Sequence, residues 1–257
     1  MVASNAQRSK LLLLAQPQVI TNDTHKPNPS RKLDKELTEA YSAYRQIKHL
    51  LQNSQFDPSQ LLFFDICSGK GYLSVLLAYE FPESQIYMID NDEKMNVEHL
   101  QSIPNISLLS WNLRSPKYVS DLSKMIPDGK YAMMVGIRLC GVLSQIFVDS
   151  FNRLDAIRWF VLVPCCIPKC EEELKQRAKL EKLNNYGLWT LRVVALVDKE
   201  KIQFTSVCMD DCVLSIKNNY IVAAKSGMIV EEALASWPPM NADLEFQITH
   251  SDASGAH

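Results

Sequence analysis

The most constraining feature of the sequence is an apolar segment that ends at an acidic residue and runs directly into a glycine turn. Residues 61–66 are apolar except for Asp65, and the turn 67–71 reads Cys-Ser-Gly-Lys-Gly. From Tyr72 onward, apolar residues recur at helical spacing. Where a strand ends in a glycine turn and a helix follows, the start of the helix has unpaired N–H groups, and the glycines let a ligand approach the backbone closely. This stretch therefore predicts a pocket for a nucleotide-like ligand.

A second acidic residue supports the same kind of ligand. The apolar segment 85–89 precedes Asp90, which lies 25 positions after Asp65. A carboxylate at the end of a neighbouring strand can accept hydrogen bonds from both hydroxyls of a ribose. Two other nucleotide motifs fit less well. Lys70 is not followed by Ser or Thr as in a phosphate-binding loop, and Cys67 takes the place of the first glycine in a dinucleotide fingerprint.

Strand-like and helix-like segments alternate after residue 60, which predicts a doubly wound, mostly parallel α/β sheet. The segments with strand-like patterns are 61–66, 85–90, 106–110, 131–137, 159–164, 202–208, 212–217 and 220–224. Those with helix-like patterns are 31–53, 72–81, 92–102, 116–126, 142–154 and 170–186. We expect the last strands to form an antiparallel hairpin that closes the sheet.

The sequence divides into three regions. Residues 1–54 combine a flexible lead-in with an amphipathic helix, residues 55–227 form the main domain, and residues 228–257 are a tail without an assigned role. We expect the apolar stripe of the helix to pack on the main domain. Its position before the first strand also makes the helix a candidate lid.

Composition favours a globular protein of a reducing compartment. The chain is 47% hydrophobic and 22% charged, and its seven cysteines lack regular disulfide spacing. No apolar run approaches membrane-spanning length, so we expect a cytoplasmic protein. The net charge of −2 gives no overall case for nucleic-acid binding, but residues 1–50 hold eight Lys/Arg against four Asp/Glu. That basic arm is compatible with RNA contact, and a solvated helix surface is the alternative.

A metal site is not expected from the spacing of cysteines and histidines. Cys166 and Cys170, with Cys208 and Cys212, offer two pairs at a spacing that zinc accepts. However, three of the four fall on or near predicted strands, where small buried cysteines are the better interpretation. The histidines at positions 25, 49, 99, 250 and 257 lie mostly outside the segments that carry motifs.

Asp65-x-Cys67-x-Gly69-x-Gly71, followed by Asp90, resembles motif I and its acidic partner in class I S-adenosylmethionine (SAM) methyltransferases. Two later segments, Gly-Ile-Arg-Leu-Cys-Gly at 136–141 and Val-Pro-Cys-Cys at 163–166, are similar to elements of one subfamily. It includes the tRNA 2'-O-methyltransferases of the Trm13 type and the methyltransferase-like 25 proteins. The likeness covers residues 55–227 and implies a seven-stranded Rossmann-like sheet.

The resemblance implies SAM as the cofactor and assigns residues to it. Those expected to contact SAM are Asp65, Cys67, Ser68, Gly69, Gly71, Asp90, Asn91 and Asn112. Within this set, Asp90 is expected to hold the ribose and Asn112 the adenine amino group.

The acceptor side is expected at the ends of the fourth and fifth strands, with Arg138, Cys140, Cys165 and Cys166 as candidate catalytic residues. Methyl transfer requires in-line positioning and proton removal from the acceptor. Arg138 stands where the subfamily has His, and it can bind a phosphate or lie in a buried ion pair. The resemblance favours an RNA acceptor. A protein or small-molecule methyltransferase and a non-catalytic SAM-binding protein remain alternatives.

Overall fold

The computed structural model describes residues 29–181 and 183–229. The lead-in before residue 29 and the tail from residue 230 lie outside the described residues. The strands are β1 Leu61–Ile66, β2 Gln85–Asp90, β3 Ile106–Ser110, β4 Tyr131–Leu139, β5 Ile157–Pro164, β6 Ile202–Met209 and β7 Asn219–Lys225. The helices are α1 Pro29–Gln52, α2 Tyr72–Glu80, α3 Tyr118–Lys124, α4 Val142–Arg153, α5 Glu172–Leu180 and α6 Asn185–Val194.

The seven strands form one sheet in the order β3-β2-β1-β4-β5-β7-β6. The first five are parallel, whereas β7 lies antiparallel between β5 and β6. The predicted doubly wound, mostly parallel sheet with a closing hairpin is therefore confirmed. Strand order reverses between β1 and β4, and ligands of open α/β sheets bind at the carboxyl ends of strands beside such a point.

Helices cover both faces of the sheet. The apolar core on one face joins the strands to α1 and α2, and the core on the other face joins them to α3, α4 and α6. Because both faces are covered, the central strands are nearly continuous apolar runs, and all six residues of β1 are buried. The carboxyl edge of the sheet is thereby left to carry the polar groups of a site.

Helix α1 packs on the main domain as its apolar stripe predicts. Ala43, Ile47 and Leu50 are fully buried. At its polar margin, the Tyr44 hydroxyl donates to a carboxylate oxygen of Glu80 at 2.8 Å. These contacts hold the carboxyl-terminal half of α1 against the main domain.

The predicted helix over residues 92–102 is wrong. Only a single 3₁₀ turn, Glu98–Leu100, forms in this segment. The side-chain oxygens of Asp90, Asp92 and Asn96 each accept a hydrogen bond from a backbone N–H two positions further along. Such local bonds compete with helical hydrogen bonds, and a series of turns replaces the helix.

The predicted continuous helix over residues 170–186 is also wrong. The structure has two helices, α5 and α6, with a break before Asn185. The Asn184 side chain accepts hydrogen bonds from the backbone N–H groups of Tyr186 and Gly187, at 2.8 and 3.2 Å. Asn184 is therefore an N-cap that starts a new helix.

The predicted strand over residues 212–217 does not form. The segment between β6 and β7 consists of turns and bends. The Asp210 carboxylate accepts a hydrogen bond from the Cys212 N–H, and the Ser215 hydroxyl accepts one from the Lys217 N–H. These side chains accept hydrogen bonds from nearby backbone N–H groups and so favour a loop over pairing in the β-sheet.

Among the helices of the described residues, none is both long and apolar enough to cross a membrane.

Candidate functional site

The turn after β1 contains three residues with positive φ angles. Cys67, Gly69 and Gly71 have φ values of 54°, 52° and 75°. This conformation is cheap for glycine and costs a residue with a side chain about 1–3 kcal/mol. Cys67 therefore adopts the backbone conformation that suits the glycine it replaces. Its N–H donates to the Ile89 carbonyl at 2.7 Å, which fixes the start of the turn against β2.

Asp90 lies at the carboxyl end of β2 and supports the same turn. One carboxylate oxygen, Oδ2, accepts a hydrogen bond from the Gly69 N–H at 3.0 Å, and Oδ1 accepts one from the Asp92 N–H at 3.0 Å. Each carboxylate oxygen can accept a further hydrogen bond. Asn91 follows Asp90 and is exposed.

Asp65 is almost completely buried at the end of β1. One of its oxygens accepts a hydrogen bond from the Ser74 hydroxyl at 2.7 Å, which joins β1 to α2. Burial raises the pKa of Asp65 from 3.8 to about 6, and the negative charge of Asp90 adds to this rise. The Ser74 hydrogen bond acts in the opposite direction, because it stabilises the carboxylate.

A cavity of about 360 Å³ opens between this turn and α1, and we refer to it as the turn cavity. Its lining includes Asp65, Cys67, Ser68 and Gly69 from the turn side. Within the described residues, the buried Ser68 hydroxyl has no hydrogen-bond partner. A cavity of this size with an unpaired hydroxyl is typical of a small-molecule site.

Four of the eight residues expected to bind the cofactor do not line the turn cavity. They are Gly71, Asp90, Asn91 and Asn112. A Cβ atom on Gly71 would lie 2.5 Å from Cε of Met88, so this glycine allows α2 to pack closely on the sheet. The structure therefore gives Gly71 a packing role.

Asn112 is exposed in the loop after β3. Its side-chain oxygen accepts a hydrogen bond from the Arg114 N–H at 2.9 Å. Beside it, the Trp111 ring meets the Tyr118 ring edge-on, with 6.5 Å between the centroids. The Asn112 oxygen thus closes a local turn, and it does not line the turn cavity.

Arg138 interrupts the regular pairing of β4 with β5. Its φ angle is 60°, and the register shifts between Ile137 and Leu139. Its Nε lies 3.5 Å from a carboxylate oxygen of Glu39 in α1, and the Arg138 side chain is 38% exposed. Arg138 and Glu39 both line the turn cavity. Within the described residues, Cys67 and Arg138 are the two non-glycine residues with positive φ, and both lie at the carboxyl ends of neighbouring strands.

Glu39 was not identified from the sequence. It is buried, and this burial raises the pKa of its carboxyl group, whereas the charge of Arg138 lowers it. The sequence does show Glu39 as an acidic residue beside the apolar stripe of α1, but Arg138, with which it pairs, is 99 positions away. Only the packing of α1 against β4 brings the two residues together.

Three of the candidate acceptor-side residues form a thiol cluster. The sulfur atoms of Cys140, Cys165 and Cys166 all lie within 4.8 Å of one another. Two backbone hydrogen bonds align the strand ends that carry them: the Cys165 N–H donates to the Leu139 carbonyl at 3.0 Å, and the Gly141 N–H donates to the Cys166 carbonyl at 3.2 Å. The structure thus brings together residues that lie 25 positions apart in sequence.

A second cavity, of about 610 Å³, adjoins the thiol cluster, and we refer to it as the lysine cavity. Its lining includes Cys165 and Cys166 together with Lys175, Lys179 and Lys217. Lys217 was missed by the sequence analysis, because its segment was predicted to be a strand. Burial lowers its pKa, and the neighbouring cysteines raise it.

One histidine lies closer to the turn than the sequence suggested. A ring nitrogen of His99 lies 2.9 Å from the Lys70 carbonyl, and the ring stacks on Tyr72 at a centroid distance of 6.0 Å. Since Lys70 belongs to the glycine turn, His99 supports the turn from outside. It does not line either cavity.

The chain is similar to several known proteins. A glutathione S-transferase C-terminal domain-containing protein of Xenopus laevis is 25% identical over 103 residues, which is 40% of this chain and 15% of that protein. The chain thus matches only a small part of this relative. Fibrillarin of Aeropyrum pernix, solved with natively bound SAM, has a TM-score of 0.46 at 12% identity over 72% of this chain and 76% of that chain. Magnesium protoporphyrin IX methyltransferase of Synechocystis PCC 6803 has a TM-score of 0.42 at 14% identity, covering 79% and 87%.

The sequence also matches a protein family described as "Methyltransferase domain" over residues 35–173. This match covers most of α1 and all of the turn, β4, β5 and the thiol cluster, and it exceeds half of the 257-residue chain. The chain therefore belongs to this methyltransferase domain family, and its cofactor is S-adenosylmethionine.

Proposed function

We propose that this SAM-dependent methyltransferase acts on RNA, as in the tRNA-methylating subfamily that its motifs resemble. The observation that carries the proposal is the lysine cavity, which Lys175, Lys179 and Lys217 line together with the two cysteines that follow β5. Arg138 lies near the end of β4 and is partly exposed. Three lysines that line one recess, with Arg138 in the lining of the turn cavity, suit a phosphate backbone, which proteins bind chiefly through Lys and Arg.

The residues of the turn fit the cofactor. The unpaired Ser68 hydroxyl is available to it, and Gly69 leaves the open side of the turn free, because no atom lies within 4 Å of its missing Cβ. Asp90 retains acceptor capacity beside its two backbone bonds. We assign Ser68, Gly69 and Cys67 to the methionine end of the cofactor and Asp90 to the ribose, with Asn91 and Asn112 on the nucleoside side.

Proximity and charge account for the proposed roles of the remaining residues. When bound, the cofactor supplies a methyl group on a positively charged sulfonium. The carboxylate of Asp65 would offset positive charge on the amino-acid end, and α1 would exclude water from the turn cavity. Arg138 would orient the acceptor phosphate, and its pairing with Glu39 would fix its direction.

Asp90→Ala is expected to weaken SAM binding by about 1–3 kcal/mol, because charge-assisted hydrogen bonds to the ribose and to the Gly69 N–H are lost. Isothermal titration calorimetry measures the change. Asp121→Ala, which removes an exposed carboxylate paired with Lys124, is the matched control and should bind normally. Unchanged affinity in Asp90→Ala would remove this residue from the cofactor site.

Arg138→Ala is expected to lower the methyl-transfer rate at least about tenfold and to leave SAM affinity within about twofold, because it loses a bidentate phosphate contact. Single-turnover transfer and calorimetry separate the two effects. Glu39→Gln is the control for the ion pair, since it breaks the pair and keeps the guanidinium. A parallel loss of SAM affinity and thermal stability in Arg138→Ala would instead assign Arg138 to the structure alone.

A radiolabelled-methyl assay tests the acceptor class. Purified protein is incubated with labelled SAM and then with total RNA, total protein or a small-molecule extract in separate reactions. Label in RNA that nuclease releases is the expected result. Label confined to protein or to small molecules would overturn the RNA proposal. SAM binding without transfer to any fraction would favour the alternative of a non-catalytic binding protein.

We further propose a cytoplasmic location and a methyltransferase domain over residues 55–227. All seven cysteines of the chain lie in the described residues and are free thiols, as suits a reducing compartment. The amino-terminal region 1–54 would contribute α1 as a wall of the turn cavity, through Glu36 and Glu39.

A further inference from the structure

The three thiols at the ends of β4 and β5 have a geometry that the methyl-transfer roles above do not use. Cys140 and Cys166 are exposed, Cys165 is partly exposed, and all three sulfur atoms lie within 4.8 Å of one another. Of the two cysteine pairs that the sequence offered for zinc, only Cys166 belongs to this cluster. The grouping results from strand register and not from a spaced sequence motif.

We propose that Cys140, Cys165 and Cys166 bind Zn²⁺ through three thiolates, with the fourth coordination position open toward the lysine cavity. Three protein ligands with one open position are typical of catalytic zinc sites, whereas structural sites use four. Cys165 and Cys166 also line the lysine cavity, so the open position faces the recess assigned to the acceptor.

The distances require only a small adjustment. Zinc–sulfur bonds of about 2.3 Å in a tetrahedral site place the sulfur atoms about 3.8 Å apart. In the structure the three sulfur atoms lie within 4.8 Å of one another, and side-chain rotations can bring them to that shorter separation. Cys165 and Cys166 follow the last residue of β5, and the chain bends at Cys166. Adjacent residues in a regular strand point to opposite faces, so this bend lets both thiols serve one ion.

Charge also balances at the cluster. Three thiols that bind Zn²⁺ release three protons, and the trithiolate complex carries a net charge of −1. Lys217 lines the lysine cavity together with Cys165 and Cys166, and Arg138 lies two residues before Cys140. Metal coordination removes a thiol proton outright, and these two cations offset the negative charge of the complex.

The site has a consequence that rests on the proposed function. Arg138 stands where the subfamily that the motifs resemble has His, and within the described residues no histidine lines either cavity. An acceptor hydroxyl, thiol or ring nitrogen that occupied the open zinc position would lose its proton more readily. Zinc would thereby lower the pKa of the acceptor group, and its proton would pass to solvent water before the methyl group is transferred.

Metal titration of the full chain tests the proposal without an activity measurement. The chelator-treated, reduced protein is titrated with Co²⁺ and then with Zn²⁺. We expect about one equivalent of Co²⁺ to bind with a thiolate-to-cobalt charge-transfer band, and Zn²⁺ to displace it. Zn²⁺ should also protect three of the seven thiols from alkylation, and mass spectrometry identifies which cysteines are protected.

Matched variants assign the ligands. Cys140→Ser, Cys165→Ser and Cys166→Ser are each expected to lower metal affinity about 100-fold or more. Cys170→Ser and Cys212→Ser change exposed cysteines outside the cluster and should leave the affinity unchanged. Circular dichroism verifies that each variant folds. The alkylation experiment uses the wild-type protein, so its result does not depend on the folding of any variant.

The absence of stoichiometric binding at about 10 μM metal would overturn the proposal, as would binding that survives in all three cluster variants. A disulfide within the cluster under the same reducing conditions would also overturn it, because it would make the thiols a redox pair. Since these readouts do not depend on methyl transfer, they separate failure of the zinc site from failure of the RNA proposal.

Discussion

Gly69→Val is expected to abolish SAM binding, with an affinity loss of about 100-fold or more, while the protein remains folded. Gly69 has a φ angle of 52°, and no atom lies within 4 Å of an added Cβ. The valine side chain therefore projects into the open side of the turn, where it blocks the backbone approach that the cofactor needs. The positive φ angle adds a folding cost of about 1–3 kcal/mol. Calorimetry with SAM and thermal unfolding measure the two effects.

Gly129→Val is the matched control for this strain. Gly129 has a φ angle of 78° and also has no atom within 4 Å of an added Cβ, but it lies in the turn before β4. We expect a similar loss of stability and normal SAM binding. If Gly69→Val binds SAM as tightly as Gly129→Val does, the cofactor does not approach the turn through Gly69.

Asp65→Asn is expected to stabilise the cofactor-free protein at pH 7.5 by up to about 3 kcal/mol and to weaken SAM binding. Burial raises the pKa of Asp65 from 3.8 to about 6. The folded protein therefore retains this proton between about pH 4 and pH 6, where the unfolded chain has released it. Stability falls as the pH rises through that window, and about two pKa units correspond to about 3 kcal/mol.

Urea unfolding of wild type and Asp65→Asn at several pH values between 4 and 8 measures this effect. The stability difference should be small near pH 4, grow as the pH rises and level off above pH 7. The Asn side chain can still accept the Ser74 hydrogen bond, so the variant isolates the charge. Asp121→Asn, at an exposed site, should show no such trend. A stability difference that does not depend on pH would mean that burial does not raise the pKa of Asp65.

The sheet could be predicted because its strands are apolar runs separated by clear turn and helix signals. The turn after β1 was predictable for the same reason, since Gly69 and Gly71 directly follow an apolar run, and both have positive φ angles. Errors arose where local side-chain bonds override periodicity. Asp92 and Asn96 replace a predicted helix by turns, and Asn184 divides another helix in two.

The acceptor side was less predictable, because its contacts are long-range. Glu39 and Arg138 meet only after α1 packs across the sheet edge. Lys217 reaches the lysine cavity because the segment before β7 is a loop and not a strand. The sequence identified Cys140, Cys165 and Cys166 individually, but their proximity depends on the β4–β5 register.

The most direct measurement is a crystal structure of the chain grown with saturating SAM or its demethylated product, after calorimetry has established binding. We expect the ligand to lie across the ends of β1 and β2, with its ribose hydroxyls on the Asp90 carboxylate and its amino-acid end against Ser68 and Gly69. A ligand bound elsewhere, or a turn cavity filled by the protein's own side chains in the saturated crystal, would contradict this arrangement.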